Sequence, residues 1–265
     1  MRAAHAVAAA LIAATVIGSV LVLRGRDAGA SATSAVARDL QALPAAPAPA
    51  LAIGAPTPLR GERFRSTWTV VRRRVVAHAS PDGRSPVLAT LALRTTEGTP
   101  NLVAVLGRRS DDAGGVWVHV RLPVLPNGSE GWVRRDALAA YEQVRTRLVV
   151  DRDRLTATLS RNGRVVFRAP VGIGQPRWPT PRGQFTVRSR LTRFASPFYG
   201  PLAFGTTARS AVLTDWPGGG FIGIHGTDQP QLIPGRVSHG CIRLRNADLL
   251  RLARLMPVGT PLAIR

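Results

Sequence analysis

The chain has 265 residues, enough for one or two domains with cores of their own. Its 45% apolar content is that of an ordinary globular protein, and 26 glycines with 21 prolines favour turn-rich β structure over a helix bundle. The formal charge of +21 is carried by arginine alone, since no lysine occurs, and the single cysteine, Cys241, excludes an intramolecular disulfide. A surface this basic attracts nucleic acid, anionic lipid or anionic wall polymer, and charge by itself does not choose among them.

The N-terminus does choose. Arg2 precedes an apolar run from Ala6 to Leu23, and Ala28-Gly29-Ala30 offers a small-x-small cleavage site before Ser31. Residues 1–30 read as a signal peptide or a retained membrane anchor, because eighteen residues border on spanning length. Arg24, Arg26 and Asp27 make a charged approach to the cleavage site, and the flanking charges do not decide orientation. With no cysteine closing the run, a lipoprotein anchor is excluded. The expected location is extracytoplasmic, secreted to the wall or tethered to the outer face of the membrane. Nucleic acid is then no partner, and membrane contact is expected only through this segment. An exported protein that keeps one thiol is expected to use it. Residues 31–65 are Ala/Pro-rich, with Leu43-Pro44-Ala45-Ala46-Pro47-Ala48-Pro49-Ala50 at their centre, and read as an extended linker.

Residues 66–142 predict a small β domain. Thr67–Val71, Val75–Ala77, Pro86–Leu91, Val116–Val120 and Gly131–Val133 are short apolar runs, with Pro81-Asp82-Gly83 and Asn127-Gly128 as turns. The pattern resembles the bacterial SH3-like β-barrel, most clearly in Gly131-Trp132-Val133. It is either a module that binds wall peptide or a spacer packed against the rest of the chain, and the spacer is the simpler expectation.

Residues 145–265 predict a second β-rich domain. Leu155–Leu159 alternates, Asn162-Gly163 supplies a hairpin turn, and Val165, Phe167 and Ala169 continue one face. Phe185–Val187, Ala211–Leu213, Phe221–Ile224 and Cys241–Leu244 are further strand candidates. One helix is predicted near the C-terminus. Asn246 is positioned to cap it, Asp248 lies in its first turn, and Leu249, Leu252, Ala253 and Met256 form its apolar stripe. Pro257 and Gly259 end the helix, and Pro261–Ile264 returns as a strand. Residues 192–220, with Phe194, Phe198, Tyr199, Trp216 and Gly218-Gly219-Gly220, are either a mobile loop over a cleft or a plain surface loop.

Two of the five histidines precede the lone thiol within 16 positions, in Ile224-His225-Gly226-Thr227 and Ser238-His239-Gly240-Cys241-Ile242-Arg243-Leu244. A thiolate is the attacking species, and a histidine that takes its proton leaves an ion pair that lowers the thiol pKa, commonly to about 3.5–7.5. Two bases are available. If the chain is extended from Ser238 to Cys241, His239 falls on the Cys241 side about 6.5–7 Å away, whereas His225 approaches from another strand. Gly240 lets a substrate carbonyl come close, and the Cys241 amide, with that of Gly240, is a candidate oxyanion donor. Arg243, two residues on, faces the same side and suits a carboxylate. Zinc is the competing chemistry, with His225, His239 and Cys241 as ligands. No second cysteine or nearby carboxylate completes that site, and His-x-Cys is tight for two tetrahedral ligands.

His-Gly-Thr followed by Ser-His-Gly-Cys-Ile-Arg-Leu-x-Asn-x-Asp resembles the signature of the L,D-transpeptidase (YkuD) catalytic domain. Val171-Gly172-Ile173-Gly174 with Pro179-Thr180-Pro181-Arg182-Gly183 resembles a further family segment of structural role. The resemblance covers about 120 of the 265 residues and implies a β-sandwich with a helix beside the catalytic strand. It makes Cys241 the nucleophile and His225 the proton acceptor and donor, with His239 supporting on the oxyanion side and Gly240 in the oxyanion region. Arg243, Thr227, Ser238, Tyr199 and Trp216 are the candidate substrate-binding positions, and no metal or nucleotide cofactor is implied by the resemblance. The implied activity forms 3→3 cross-links between peptidoglycan stem peptides through a thioester, with carbapenem-type β-lactams as inhibitors. Water or a protein amine as acceptor would give a carboxypeptidase or a protein-anchoring enzyme. A non-enzymatic wall-binding protein is disfavoured by the intact His225/Cys241 pair, and a papain-like protease by a cysteine in a strand-like run.

Overall fold

The computed structural model describes residues 57–58, 64–192, 197–213 and 219–265. The expected signal or anchor and nearly all of the linker lie outside them. The described chain is mainly β, with two sheets and one α-helix.

The first sheet holds β1 (Thr57–Pro58), β2 (Ser66–Val70), β3 (Val75–His78), β4 (Val87–Leu91), β5 (Leu102–Ser110), β6 (Val116–Arg121), β7 (Glu130–Arg134) and β8 (Glu142–Val144). Its order is β4-β3-β7-β6-β5-β2-β8, with β1 paired to β5. Valines at alternate positions, among them Val103 and Val105 on β5 and Val118 and Val120 on β6, turn inward with Leu91, Leu122 and Val133 to form a separate apolar core.

The second sheet holds β9 (Thr146–Asp151), β10 (Thr156–Arg161), β11 (Arg164–Pro170), β12 (Gly172–Gly174), β13 (Gly183–Leu191), β14 (Ala203–Arg209), β15 (Phe221–His225), β16 (Gly235–Ser238), β17 (Ile242–Arg243) and β18 (Pro261–Ile264). Its order is β11-β10-β9-β18-β13-β14-β15-β17-β12-β16. β13 joins two halves: Gly183–Thr186 pairs with β18, and Val187–Leu191 pairs with β14. Both halves feed one core, with Leu148, Leu159 and Phe185 from one side and Phe204, Ile224 and Ile242 from the other. Helix α1 (Asn246–Leu255) seals that core with the predicted stripe, Leu249, Leu252 and Ala253 buried and Met256 just beyond.

Three expectations fail locally. Ala211–Leu213 is a bend, not a strand, because the Ser210 hydroxyl accepts the amides of Val212 and Leu213. Val165 is 60% exposed, because the register skips Val166 opposite the Leu159–Ser160 step and the bulge turns it outward. Residues 192–220 are not one loop, since β14 runs through them. Phe194, Trp216 and Gly218 fall outside the described residues.

The two sheets touch. Trp68 of β2 packs on Gly259, Glu97 pairs with the buried Arg188 of β13, and Asn127 exchanges two hydrogen bonds with the backbone of Arg209.

Candidate active site

Cys241 stands in a turn between β16 and β17. Gly240 has φ +118°, a conformation open to glycine and costly for a residue with a Cβ. The extended run expected from Ser238 to Cys241 is broken there, so simple alternation does not carry His239 to the cysteine side, although both residues line the same cleft. Ser238, fully buried, closes the turn: its hydroxyl donates to the Cys241 carbonyl at 2.6 Å and accepts the Gly240 N–H at 3.1 Å. That hydroxyl and that N–H, expected at substrate and oxyanion respectively, are engaged within the turn. Thr180, also fully buried, donates to the Gly240 carbonyl at 2.7 Å and accepts the Gly174 N–H at 2.9 Å. A trans peptide holds N–H opposite C=O. Fixing the Gly240 carbonyl toward Thr180 therefore aims the Cys241 N–H away from it.

His225 comes from another strand, the end of β15, which pairs in parallel with β17 so that His225 sits opposite Arg243. Its Nδ1 lies 2.7 Å from the Gly226 carbonyl oxygen, which places a proton on Nδ1 and leaves Nε2 as acceptor. Gly223, two residues earlier, shares its face. A side-chain carbon on Gly223 would start 3.8 Å from Cys241 Sγ and 3.9 Å from His225 Cδ2. Thiol and imidazole thus border the one space that glycine leaves empty, and the Gly223 N–H donates to the sulfur at 3.3 Å.

Burial governs both groups. It pushes the Cys241 thiol up, against the opposing pulls of the Gly223 N–H and the Arg243 charge. It pushes His225 down to about 4, opposed by the bond to Gly226 and reinforced by Arg243. Both shifts favour the uncharged forms, the direction opposite to the low-pKa ion pair expected from the sequence. The desolvated imidazole has a consequence for stability. An unfolded chain protonates His225 below about pH 6.5, the folded chain only below about 4. The stabilisation, present above pH 6.5, is lost as pH falls to 4 and amounts to roughly 3 kcal/mol. Denaturant midpoints at pH 7 and 4.5 should drop more in the wild type than in His225→Gln; equal drops would contradict this.

The cleft over this pair is walled by Phe198, Tyr199, Phe221, Ile222 and His239. Tyr199 and Phe198 stand 4.9 and 6.1 Å from the His225 ring. Arg243 is buried, its guanidinium lies 4.4 Å over Phe198, and its Nε has no hydrogen-bond partner among the described residues. His239 packs at 4.1 Å on Trp178, and Arg177 lies 3.6 Å over the same indole. Thr227 is buried, with its N–H on Asn246 Oδ1 at 3.0 Å and its hydroxyl accepting the Gln229 N–H. Trp216 is outside the described residues. Among those residues no three His, Cys, Asp or Glu side chains are placed to share a metal.

Asn246 departs from expectation. Arg245 holds the N-cap position, and no side chain caps the helix. The Asn246 carboxamide instead fills a cage where a Cβ on Gly200 or Gly226 would collide with it, tying α1 to the turn after His225. Gly223, Thr180 and Trp178 also went unassigned a site role. Only Thr180 carried a signal, its place in the family-like Pro179–Gly183 segment.

Residues 145–264 match the profile of the YkuD L,D-transpeptidase catalytic domain. "Putative L,D-transpeptidase YkuD" of Bacillus subtilis is 36% identical over 109 residues, covering 41% of this chain and 59% of that one. Its counterpart in Bacillus licheniformis is 34% identical over 118 residues, covering 44% and 64%. A solved L,D-transpeptidase from Mycobacterium smegmatis is 20% identical, covering 57% and 90%, with a TM-score of 0.37. The chain thus spans about 59–64% of the length of the two curated relatives. Over residues 145–264 the chain is thus similar in sequence to the L,D-transpeptidase catalytic domain of the YkuD family.

Proposed function

We propose that the protein is a peptidoglycan L,D-transpeptidase acting through a Cys241 thioester. One observation carries the reading: the sole thiol and the Nδ1-protonated His225 border the same space beside Gly223 and line one cleft. His225 Nε2 takes the thiol proton as Sγ bonds to the carbonyl carbon after the third residue of a tetrapeptide stem. The carbonyl oxygen, now anionic, meets the Cys241 N–H. The C–N bond breaks, the proton returns to the departing D-Ala nitrogen, and a thioester remains. An amine from a neighbouring stem attacks it, gives its proton to His225, and expels the sulfur, leaving a 3→3 cross-link. Arg243, which lines the cleft and whose Nε has no hydrogen-bond partner among the described residues, suits a stem carboxylate. The apolar run Ala6–Leu23, read as an export segment, supports a location at the wall, and β1–β8 is read as the SH3-like module. A strained β-lactam amide undergoes the first half of the same sequence, so a carbapenem should acylate Cys241.

The test is intact-protein mass spectrometry after incubation with a carbapenem and with purified tetrapeptide stems. Wild type should gain one drug mass and release D-Ala from the stems, and Cys241→Ala should do neither. An equal adduct on Cys241→Ala would refute the assignment. Product analysis then separates cross-linked stems from a tripeptide released by water.

A further inference from the structure

Phe221 opens β15, lines the cleft with Cys241, and lies two residues before Gly223. Two arginines stack on its ring, Arg188 at 3.7 Å and Arg209 at 4.8 Å. Each is held from the first sheet. Arg188 is 4% exposed and donates through Nη2 to both carboxylate oxygens of Glu97, at 2.8 and 3.0 Å. Glu97 sits in a turn pinned by the Thr95–Thr99 hydrogen bonds. Burial works against its charge, but Arg188 and the Thr95 hydroxyl hold the carboxyl below its usual range. Asn127 accepts the Arg209 N–H at 3.0 Å and donates to the Arg209 carbonyl at 2.7 Å. Arg209 in turn donates to the Gly219 carbonyl at 2.7 Å, within a Gly219-Gly220 pair whose φ values of +70° and +74° leave the entry to β15 without side chains to fix it.

A guanidinium this deeply buried is stable only if its charge is matched, and here the match comes from the other sheet. Without Glu97, Arg188 must move toward water and cease to back the ring. Without Asn127, the Arg209 backbone, and with it the strap to Gly219, loses its outer anchor. The chain of contacts runs unbroken from two exposed turns of the first sheet to the wall of the cleft.

We propose that the first sheet positions the cleft wall: Glu97 through Arg188, and Asn127 through Arg209, hold Phe221 and the start of β15 where an acyl donor meets them. The inference rests on the transpeptidase reading only for the identity of that donor. Glu97 and Asn127 are positioning residues, remote from the reacting atoms.

Glu97→Gln and Asn127→Ala test it in the full chain, with three measurements. Amide hydrogen exchange over residues 219–225 should quicken several-fold, with β5 and β6 unchanged. Acylation of Cys241 by a carbapenem should slow by about tenfold in Glu97→Gln, as expected when a positioning contact is lost. Alkylation by iodoacetamide, too small to need the wall, should stay within about twofold, and Glu97→Asp should recover part of the acylation rate. Unchanged exchange over 219–225 in both variants overturns the proposal. So does alkylation that falls in step with acylation, because the damage would then lie at the sulfur. If Glu97→Gln does not fold, Asn127→Ala decides alone. If wild type takes up no carbapenem, the transpeptidase reading fails while the exchange result still decides this one.

Discussion

Glutamine in place of His225 should slow carbapenem acylation of Cys241 at neutral pH by roughly 10²–10⁴-fold, the range a positioned general base contributes. Glutamine can still donate to the Gly226 carbonyl, so the turn survives and the loss reports proton transfer. The wild-type pH profile carries the sharper information. The imidazole accepts a proton only while neutral, and burial holds its pKa at about 4. The acid limb of the acylation rate should therefore lie near pH 4, with full activity retained at pH 6, where an ordinary imidazole is largely charged. The thiol is pushed up rather than down. Alkylation of wild type by iodoacetamide should accordingly rise with pH between 6 and 9. A pre-formed ion pair would make alkylation flat over that range and contradict both shifts.

The difference between these shifts and the expected ion pair marks where sequence reasoning reaches its limit. Residue type and spacing are local facts, and the motif that they make spans two strands that pair in parallel, β15 and β17, which carries His225 and Cys241 to one cleft. A pKa depends on burial by everything packed around the group, including Phe198 and Tyr199 from a segment about 25 residues upstream of His225. Some strands rich in branched residues, β3 and β6 among them, were legible for the same local reason, whereas β5 and β9 were not named despite their valines and leucines. β14, Ala-Phe-Gly-Thr-Thr-Ala-Arg, was not, since it lacks valine and isoleucine and is made a strand by pairing with β13 and β15. Asn246 shows a related limit. Helix-start propensity favours asparagine as a cap, yet its carboxamide is drawn to the amide of Thr227, nineteen residues away. Polar side chains with two plausible partners are decided by tertiary placement.

Removing the Thr180 hydroxyl should disable the nucleophile turn without touching any reacting atom. Thr180→Val keeps volume but leaves the Gly174 N–H and the Gly240 carbonyl without their shared partner in a fully buried site. The expected loss of stability is roughly 2–4 kcal/mol, since an unsatisfied buried group costs about 1–3. The space cannot close over the defect. A Cβ on Gly174 would already overlap the Trp178 carbonyl oxygen and come within 2.6 Å of Thr180 N, so the backbones meet with no slack. Catalysis should fall further than stability requires. The Gly240 carbonyl, no longer held, lets the Gly240–Cys241 peptide rotate, and the Cys241 N–H leaves the line on which the developing oxyanion needs it. A misaimed oxyanion donor costs up to about 10²–10³ in rate. Acylation measured well below the melting point should drop at least about tenfold in Thr180→Val, while Thr180→Ser, which restores the hydroxyl, returns most of it. Acylation at the wild-type rate in folded Thr180→Val would mean that the turn holds its shape through Ser238 alone and that the Thr180 bond braces the fold, not the reaction.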